Sequence, residues 1–268
     1  MIRLHVFHTG SVRVDRAIPL HERNPLAVTG LFRGKKKKRL LPVSCYLIEH
    51  PKGNILIDTG WDTRFAHERP KEWFGIVDKI SGPVINEGDG IDSKLAALGL
   101  KDTDIDAVYF SHLDFDHTSG IRLVKNAKAF YASREEIADA DKSKFRYIDT
   151  WSGIARIRPF DYQETGIGPV GRSFDVFGDG SVILVSIPGH SHGLFAVKIS
   201  GADKYVVLAN DGAYMRESFE QKIIPGFTVD NGLAVKSLEW LCMCREDEGC
   251  MEVLANHDPG VKEHVVEL

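Results

Sequence analysis

The stretch SHLDFDHTSG, Ser111 to Gly120, decides how the chain is read. Four of its side chains are of metal-binding types: His112, Asp114, Asp116 and His117. His112 and Asp114 are two apart, so in an extended segment they point the same way. Asp116 and His117 open the next turn and can face a neighbouring position. Just ahead, DAVYF (Asp106 to Phe110) predicts a strand. The motif thus lies past a strand end, where a rigid scaffold can hold side chains open to a ligand.

The same arrangement recurs further along. SVILVSIPGHSHG predicts a strand over Val182 to Ile187, ending in a Pro-Gly turn that presents His190. KYVVLANDGAY predicts a strand ending at Asp211, and MEVLANHDPG a last strand ending at His257. Singly, each of these has a plainer reading: a surface or hydrogen-bonding histidine, or a turn aspartate before Gly212. Their common placement after strand ends points to a metal site. Two divalent ions about 3.5–4 Å apart need such a set of ligands if one carboxylate bridges them. Imidazole mixed with carboxylate suits zinc or iron, whereas magnesium takes oxygen alone. His192, two residues from His190, reads as a surface group or as one serving the ligands or a substrate. Cys242, Cys244 and Cys250 could suggest metal, but the first two fall on or beside an apolar helix face and read as packing.

The remainder alternates strands and helices without an exact repeat or low-complexity linker. VSCYLIEHPKGNILIDTG predicts a hairpin: Cys45 to Glu49, a turn at Pro51-Lys52-Gly53, then Asn54 to Asp58. A helix is expected with Ile91, Leu95 and Leu98 on one face and Gly99 closing it, and another near Asp230 with Val235, Leu238, Leu241 and Cys242 on one face. Residues 61–90 lack a clear period but carry Trp61, Phe65, Trp73 and Phe74, which read as buried packing or as a binding lid. The run RGKKKKR (Arg33 to Arg39) reads as a solvated loop or as a mouth attracting an anionic substrate.

Composition sets the outer limits. With 268 residues, 43 % hydrophobic and 27 % charged, the chain can bury a large core, and one layered α/β domain over 1–268 is expected. A net charge of −4 gives no field directed at nucleic acid or an anionic membrane. No apolar run approaches the roughly 20 residues of a membrane helix, and MIRLHVFHTGSVRVD alternates like a strand rather than a signal peptide. Four cysteines in a chain of this length are no disulfide framework. A cytoplasmic protein acting on a small molecule is expected, with homo-oligomerisation left open.

On these residues the sequence resembles the metallo-β-lactamase superfamily, whose signature H-x-H-x-D-H is followed by a His, an Asp and a His at distant strand ends. Here Asp114 stands where the signature has its second His. LIDTG (Leu56 to Gly60) resembles the superfamily's early strand, whose Asp supports the site from behind. The likeness runs from about Val43 to His257 and implies an αββα sandwich: two mixed sheets face to face, helices outside, metals at one edge. Within the superfamily the chain is most similar to the N-acyl-homoserine lactonases, through its hairpin, through SHLDFDH with Phe115 before Asp116, and through DGAYMRESFEQKIIPGFTVDNGLAVKSLEWL with Tyr214 three residues after Asp211.

That resemblance implies roles residue by residue. His112, Asp114 and His190 would hold a first metal, Asp116, His117 and His257 a second, and Asp211 would bridge. Two divalent ions are implied, zinc first, with iron or manganese favoured by the harder oxygen of Asp114. A hydroxide between the ions would attack a lactone or small ester carbonyl. Tyr214 would donate to the developing oxyanion, Asp116 would carry the proton to the leaving group, and Phe115 would line an apolar pocket with Tyr214. Asp114 would add negative charge at the first position and make it the more labile and less zinc-selective one, or would be too short to reach the metal and leave that position weakly occupied; its replacement by His would tighten metal binding there. Three other functions compete. A phosphodiesterase would use the same metal pair, though nothing reads as an RNA-binding arm. A diiron oxidoreductase is suggested by the acidic residue that flavo-diiron proteins carry at the position of Asp114, but these need an attached flavin domain. A non-catalytic binding protein fits poorly with all seven positions filled.

Overall fold

Apolar residues occupy both parities of the first long strands, and this fixes the layers. In β1 (Arg3–Asp15), Leu4 and Val6 point into a core between two sheets, while Phe7 faces a second core under helices. In β2 (Lys38–His50), Tyr46 and Ile48 join the inner core, and Cys45 and Leu47 the outer one. Strands covered on both faces need apolar residues at both parities where they cross the cores, as at Val6-Phe7 and over Cys45 to Ile48. The computed structural model describes residues 1–30, 33–68, 80–143 and 146–268.

The further strands are β3 (Gly53–Ile57), β4 (Ser81–Val84), β5 (Ala107–Tyr109), β6 (Phe130–Ser133), β7 (Ile157–Phe160), β8 (Gln163–Glu164), β9 (Arg172–Asp175), β10 (Val182–Ser186), β11 (Phe195–Ser200), β12 (Tyr205–Asn210), β13 (Cys250–Ala255) and β14 (His264–Glu267). One sheet runs β14-β1-β2-β3-β5-β6-β7 with β4 also on β1, and the other runs β13-β12-β11-β10-β9-β8. Both are mixed: β3, β5, β6 and β7 are parallel neighbours, as are β12 and β13. Among the described residues the α-helices are α1 (Ile91–Ala97), α2 (Phe115–Thr118), α3 (Arg134–Lys142), α4 (Arg216–Glu220) and α5 (Asn231–Glu246). Ile91 and Leu95 of α1 pack on the outer face of the first sheet, and Ala234, Leu238 and Leu241 of α5 on that of the second. The result is the αββα sandwich expected from the sequence.

The hairpin holds its predicted register, with Glu49 opposite Asn54 and His50 opposite Gly53. Asp230 caps α5, its side chain accepting from Leu233 N at 2.9 Å. Two apolar assignments shift. Leu98 is 41 % exposed because α1 ends at Ala97 and Gly99, at φ +75°, turns the chain away. Val235 is 43 % exposed because Ala234, Ser237, Leu238 and Leu241 already fill the buried arc of α5. The strand before His257 is not the last: β14, a short HVVE segment with a charge at its end, pairs antiparallel with β1. Trp61 and Phe65 are core residues against Phe115, as one reading had them; Trp73 and Phe74 lie outside the described residues. The basic run is partly tied down, since Arg33 pairs with Asp15 at 3.0 Å and Glu22 at 2.8 Å, leaving Lys35 to Lys37 in solvent. All four cysteines are unpaired thiols, and Cys242 and Cys244 lie on the buried side of α5, in no ligand cluster among the described residues.

Gly189 sets the loop that presents His190. Its φ is +143°, its carbonyl accepts from Val229 N and Asp230 N at 2.8 and 3.1 Å, and a Cβ there would stand 2.4 Å from the backbone of Ala234. Gly189→Ala is therefore expected to destabilise the fold by about 2–3 kcal/mol, read as a lower denaturant midpoint; an unchanged midpoint would show that the loop and α5 can separate freely.

Candidate metal centre

Four imidazoles converge at one edge of the sandwich, and the partner of each Nδ1 determines what its Nε2 can do. His190 Nδ1 lies 2.7 Å from the Phe227 carbonyl, and His257 Nδ1 2.7 Å from the Pro42 carbonyl. His117 Nδ1 lies 2.8 Å from Asp58 Oδ2. Ser111 Oγ donates to Asp58 Oδ2 at 2.7 Å, so it accepts from His112 Nδ1 at 3.0 Å. Each partner is an acceptor, so each Nδ1 carries a hydrogen and each Nε2 is the atom turned to the centre, that of His190 lying 3.1 Å from Arg146 Nη2. The Nε2 atoms of His112 and His117 and Oδ1 of Asp211 are buried and find no hydrogen-bond partner. Leaving such groups unsatisfied costs about 1–3 kcal/mol each, so the donor set fits an ion.

The spacings divide the set in two around Asp211. Its Oδ2 lies 3.8 Å from His112 Nε2 and 3.7 Å from His190 Nε2. Its Oδ1 lies 3.4 Å from His117 Nε2 and 3.2 Å from His257 Nε2. Asp116 faces the second pair, 3.9 Å from His117 Nε2 and 3.8 Å from His257 Nε2. Ligand atoms bound at about 2.0–2.2 Å to one ion stand roughly 3–4 Å apart, as these do. His112, His190 and Asp211 form one compact grouping, and Asp116, His117 and His257 the other.

Asp114 lies at the site but outside the first grouping. Its Oδ2 is 3.0 Å from His190 Nε2 and 3.4 Å from His112 Nε2. Both its oxygens are also engaged by Arg146, with Nε donating to Oδ1 at 2.7 Å and Nη2 to Oδ2 at 2.8 Å. Nothing in the sequence around Arg146 marks it. The only signal was indirect: an acid placed where the signature has a neutral imidazole needs a counter-charge.

Charges in the cluster follow from these contacts. Burial disfavours an ionised Asp114, yet Arg146 and the neighbouring imidazoles hold its carboxyl well below the usual range. Burial likewise opposes the Asp211 charge, but His257 and His117 hold its carboxyl well below that range. For His117, burial opposes protonation, and the Asp211, Asp58 and Asp116 carboxylates outweigh it and raise the imidazole well above its ordinary value. His257 is raised in the same way by Asp211 and Asp116. Burial lowers His190 despite its contact with Asp114.

Two buried carboxylates hold the framework. Asp58, at φ +59°, accepts from Ser111 N, Ser111 Oγ and His117 Nδ1, so one residue orients two histidines. Glu136 accepts from Leu113 N at 2.9 Å, Ser191 Oγ at 2.6 Å and Gly193 N at 3.2 Å, tying the loop of His112 to that of His190. Nothing local in the sequence marks Glu136, whose side chain serves distant loops, while Ser133 caps α3. His192 is turned to the surface, paired with Asp139.

A pocket of about 180 Å³ opens onto the cluster, lined by Asp114, Asp116, His190 and Tyr214 at one end and by apolar residues such as Val12, Trp61, Phe115 and Phe227 elsewhere. The Tyr214 ring stacks on His257 with centroids 4.8 Å apart. Burial, with the Asp211, Asp116 and Asp114 charges, pushes the Tyr214 phenol well above its usual value, so it stays a donor.

An αββα sandwich carrying such a cluster at one edge defines a class of metal-dependent enzymes. The sequence matches the Metallo-beta-lactamase superfamily over residues 39–247, and the chain belongs to that superfamily. The N-acyl homoserine lactonase AttM of Azorhizobium caulinodans is 30 % identical over 267 residues, covering 96 % of this chain and 94 % of that protein. An N-acyl homoserine lactonase of Bacillus cereus is 28 % identical over 206 residues, covering 75 % of each. The structure of an N-acyl homoserine lactone hydrolase, with its product N-hexanoyl-L-homoserine bound at the catalytic metal centre, matches with a TM-score of 0.76 at 25 % identity, over 96 % of this chain and 93 % of that one. Among the described residues no helix is long and apolar enough to cross a membrane.

Three outcomes are expected. His117 holds its proton at neutral pH in the metal-free protein, so metal uptake there should release protons, and affinity should rise as pH rises through the elevated range. The sign for stability is opposite. The folded values of His117 and His257 lie above the unfolded value of about 6.5, so their stabilisation of the metal-free protein is complete below it and lost as pH climbs through the raised values. Calorimetric titration with zinc in buffers of different ionisation enthalpy measures the first effect; a buffer-independent heat would mean that the imidazoles are already neutral. Separately, Asp58→Ala should weaken metal binding about 10–100-fold in a chelator competition, because it frees His117 and, through Ser111, His112.

Proposed function

We propose that this chain, acting as one catalytic domain over 1–268, is a dinuclear metallohydrolase that opens the lactone of N-acyl homoserine lactones or cleaves a closely related small ester. The observation that carries the reading is Asp211, with one oxygen toward His112 and His190 and the other toward His117 and His257. In this reading His112, Asp114 and His190 hold the first ion, Asp116, His117 and His257 the second, and Asp211 is shared. Zinc suits the four imidazoles. When bound, such a pair supplies a Lewis acid and lowers the pKa of water towards 7. A cytoplasmic location agrees with the four free thiols.

The chain's own residues then supply binding, orientation and proton transfer. The apolar walls around Trp61, Phe115 and Phe227 exclude water and accept an acyl chain. Tyr214, kept as a neutral phenol, donates to the carbonyl oxygen as negative charge develops on it. Asp116 lines the pocket, where its carboxylate can pass a proton to the departing alkoxide. A phosphodiester would call for cations facing the pocket. Among the described residues lining it the cation is Arg146, whose Nε and Nη2 are engaged by Asp114. The lactone specificities of AttM and of the product-bound hydrolase support the same substrate class.

The test is a hydrolysis screen over N-acyl homoserine lactones of increasing chain length, phosphodiesters and thioesters. Lactones should be cleaved fastest; faster phosphodiester cleavage would overturn the assignment. On the best substrate, Tyr214→Phe should lower kcat about tenfold or more with metal content intact. An unchanged kcat would leave Tyr214 a packing residue.

A further inference from the structure

Arg146 is built into the site. Its side chain is 8 % exposed. Beyond the forked contact with Asp114, its Nη1 donates to the His190 carbonyl at 2.8 Å, and its guanidinium carbon lies 5.0 Å from the ring centres of both Tyr147 and Phe227. The Asp114 Oδ2 that accepts from Nη2 is also the atom 3.0 Å from His190 Nε2 and 3.4 Å from His112 Nε2. A carboxylate has about four lone-pair sites, so a bidentate guanidinium does not exhaust it.

We propose that Asp114 and Arg146 together replace a neutral imidazole at the first metal position, with Arg146 as a positioning residue that fixes the carboxylate and offsets its charge. The inference rests on the dinuclear reading above. Asp114 alone would give the two positions three carboxylates to share in place of two. With Arg146 forked onto it, the net charge returns to that of a site with an imidazole there. The pairing reverses the expectation drawn from the sequence. Asp114→His would not tighten the first position, because it would leave a buried guanidinium, without its anion, facing the incoming cation.

Zinc content by elemental analysis and chelator competition, on wild type and three variants, tests this. Asp114→His alone should weaken binding at one position about tenfold or more while the other stays loaded. Asp114→His with Arg146→Met should return affinity to within about twofold of wild type. Asp114→His with Arg146→Lys, which keeps the positive charge, should stay weak. Restoration by methionine and not by lysine isolates charge from packing, since a structural arginine would be missed equally in both. The inference is overturned if Asp114→His binds both ions as tightly as wild type, a comparison that stands even where a double variant does not fold. It is also overturned if the methionine double variant holds the second ion but not the first. A wild type that takes up no metal would instead remove the dinuclear reading itself; a wild type loaded with two ions and an unresponsive Arg146 removes this inference alone.

Discussion

Four imidazoles and three carboxylates turned on one another, several of their atoms buried with no hydrogen-bond partner, are the constraint on which the rest of the structure depends. Each of the four imidazoles has given its Nδ1 hydrogen to an acceptor, so four Nε2 atoms face one another and three carboxylates. A core cannot absorb such a group by packing, because burying polar atoms without partners costs more than the contacts return. Here protons raised onto His117 and His257 partly neutralise the cluster, which makes the metal-free centre an electrostatic compromise. Binding energy of an ion at this point is folding energy as well.

The sandwich is arranged to deliver those side chains. Strands β5, β10, β12 and β13 end at the same edge, and the loops beyond them carry His112, His190, Asp211 and His257. Such loops would be mobile if left alone. Asp58 and Glu136 prevent this by accepting, between them, from Ser111, Leu113, His117, Ser191 and Gly193. Both carboxylates are buried, so their hydrogen bonds compete little with water and fix geometry more firmly than surface contacts would. Asp58 and Asn210, each beside a loop of the site, sit at φ +59° and +44°, conformations that cost energy for residues with a Cβ and persist only where the surroundings impose them.

Much of this was legible in the sequence, for reasons that can be named. Strand ends followed by His or Asp gave the seven candidate ligands, because the local pattern that ends a strand also exposes the next side chain. The hairpin register was readable from its turn residues. Leu98, Val235 and β14 were misread because a helix arc or a four-residue edge strand is decided by what packs against it, and that partner is remote in sequence. Arg146 and Glu136 were invisible for the same reason: each acts across 32 residues or more, on Asp114 and on Ser191 respectively, through contacts that no local period records.

Asp114 stands where the superfamily signature has a histidine, and the physical issue there is reach. A carboxylate ends nearer its own backbone than an imidazole Nε2 does. Asp114 makes up the difference from its backbone: at φ −66° and ψ 153° it is the extended residue just before α2, and it brings Oδ2 to 3.0 Å from one imidazole and 3.4 Å from another. Beside it the guanidinium of Arg146 lies between Asp114, the His190 carbonyl and the rings of Tyr147 and Phe227. An anion and a cation, each costly to bury alone, are thereby buried as a hydrogen-bonded pair. Charge is thus balanced over the pair rather than within either residue.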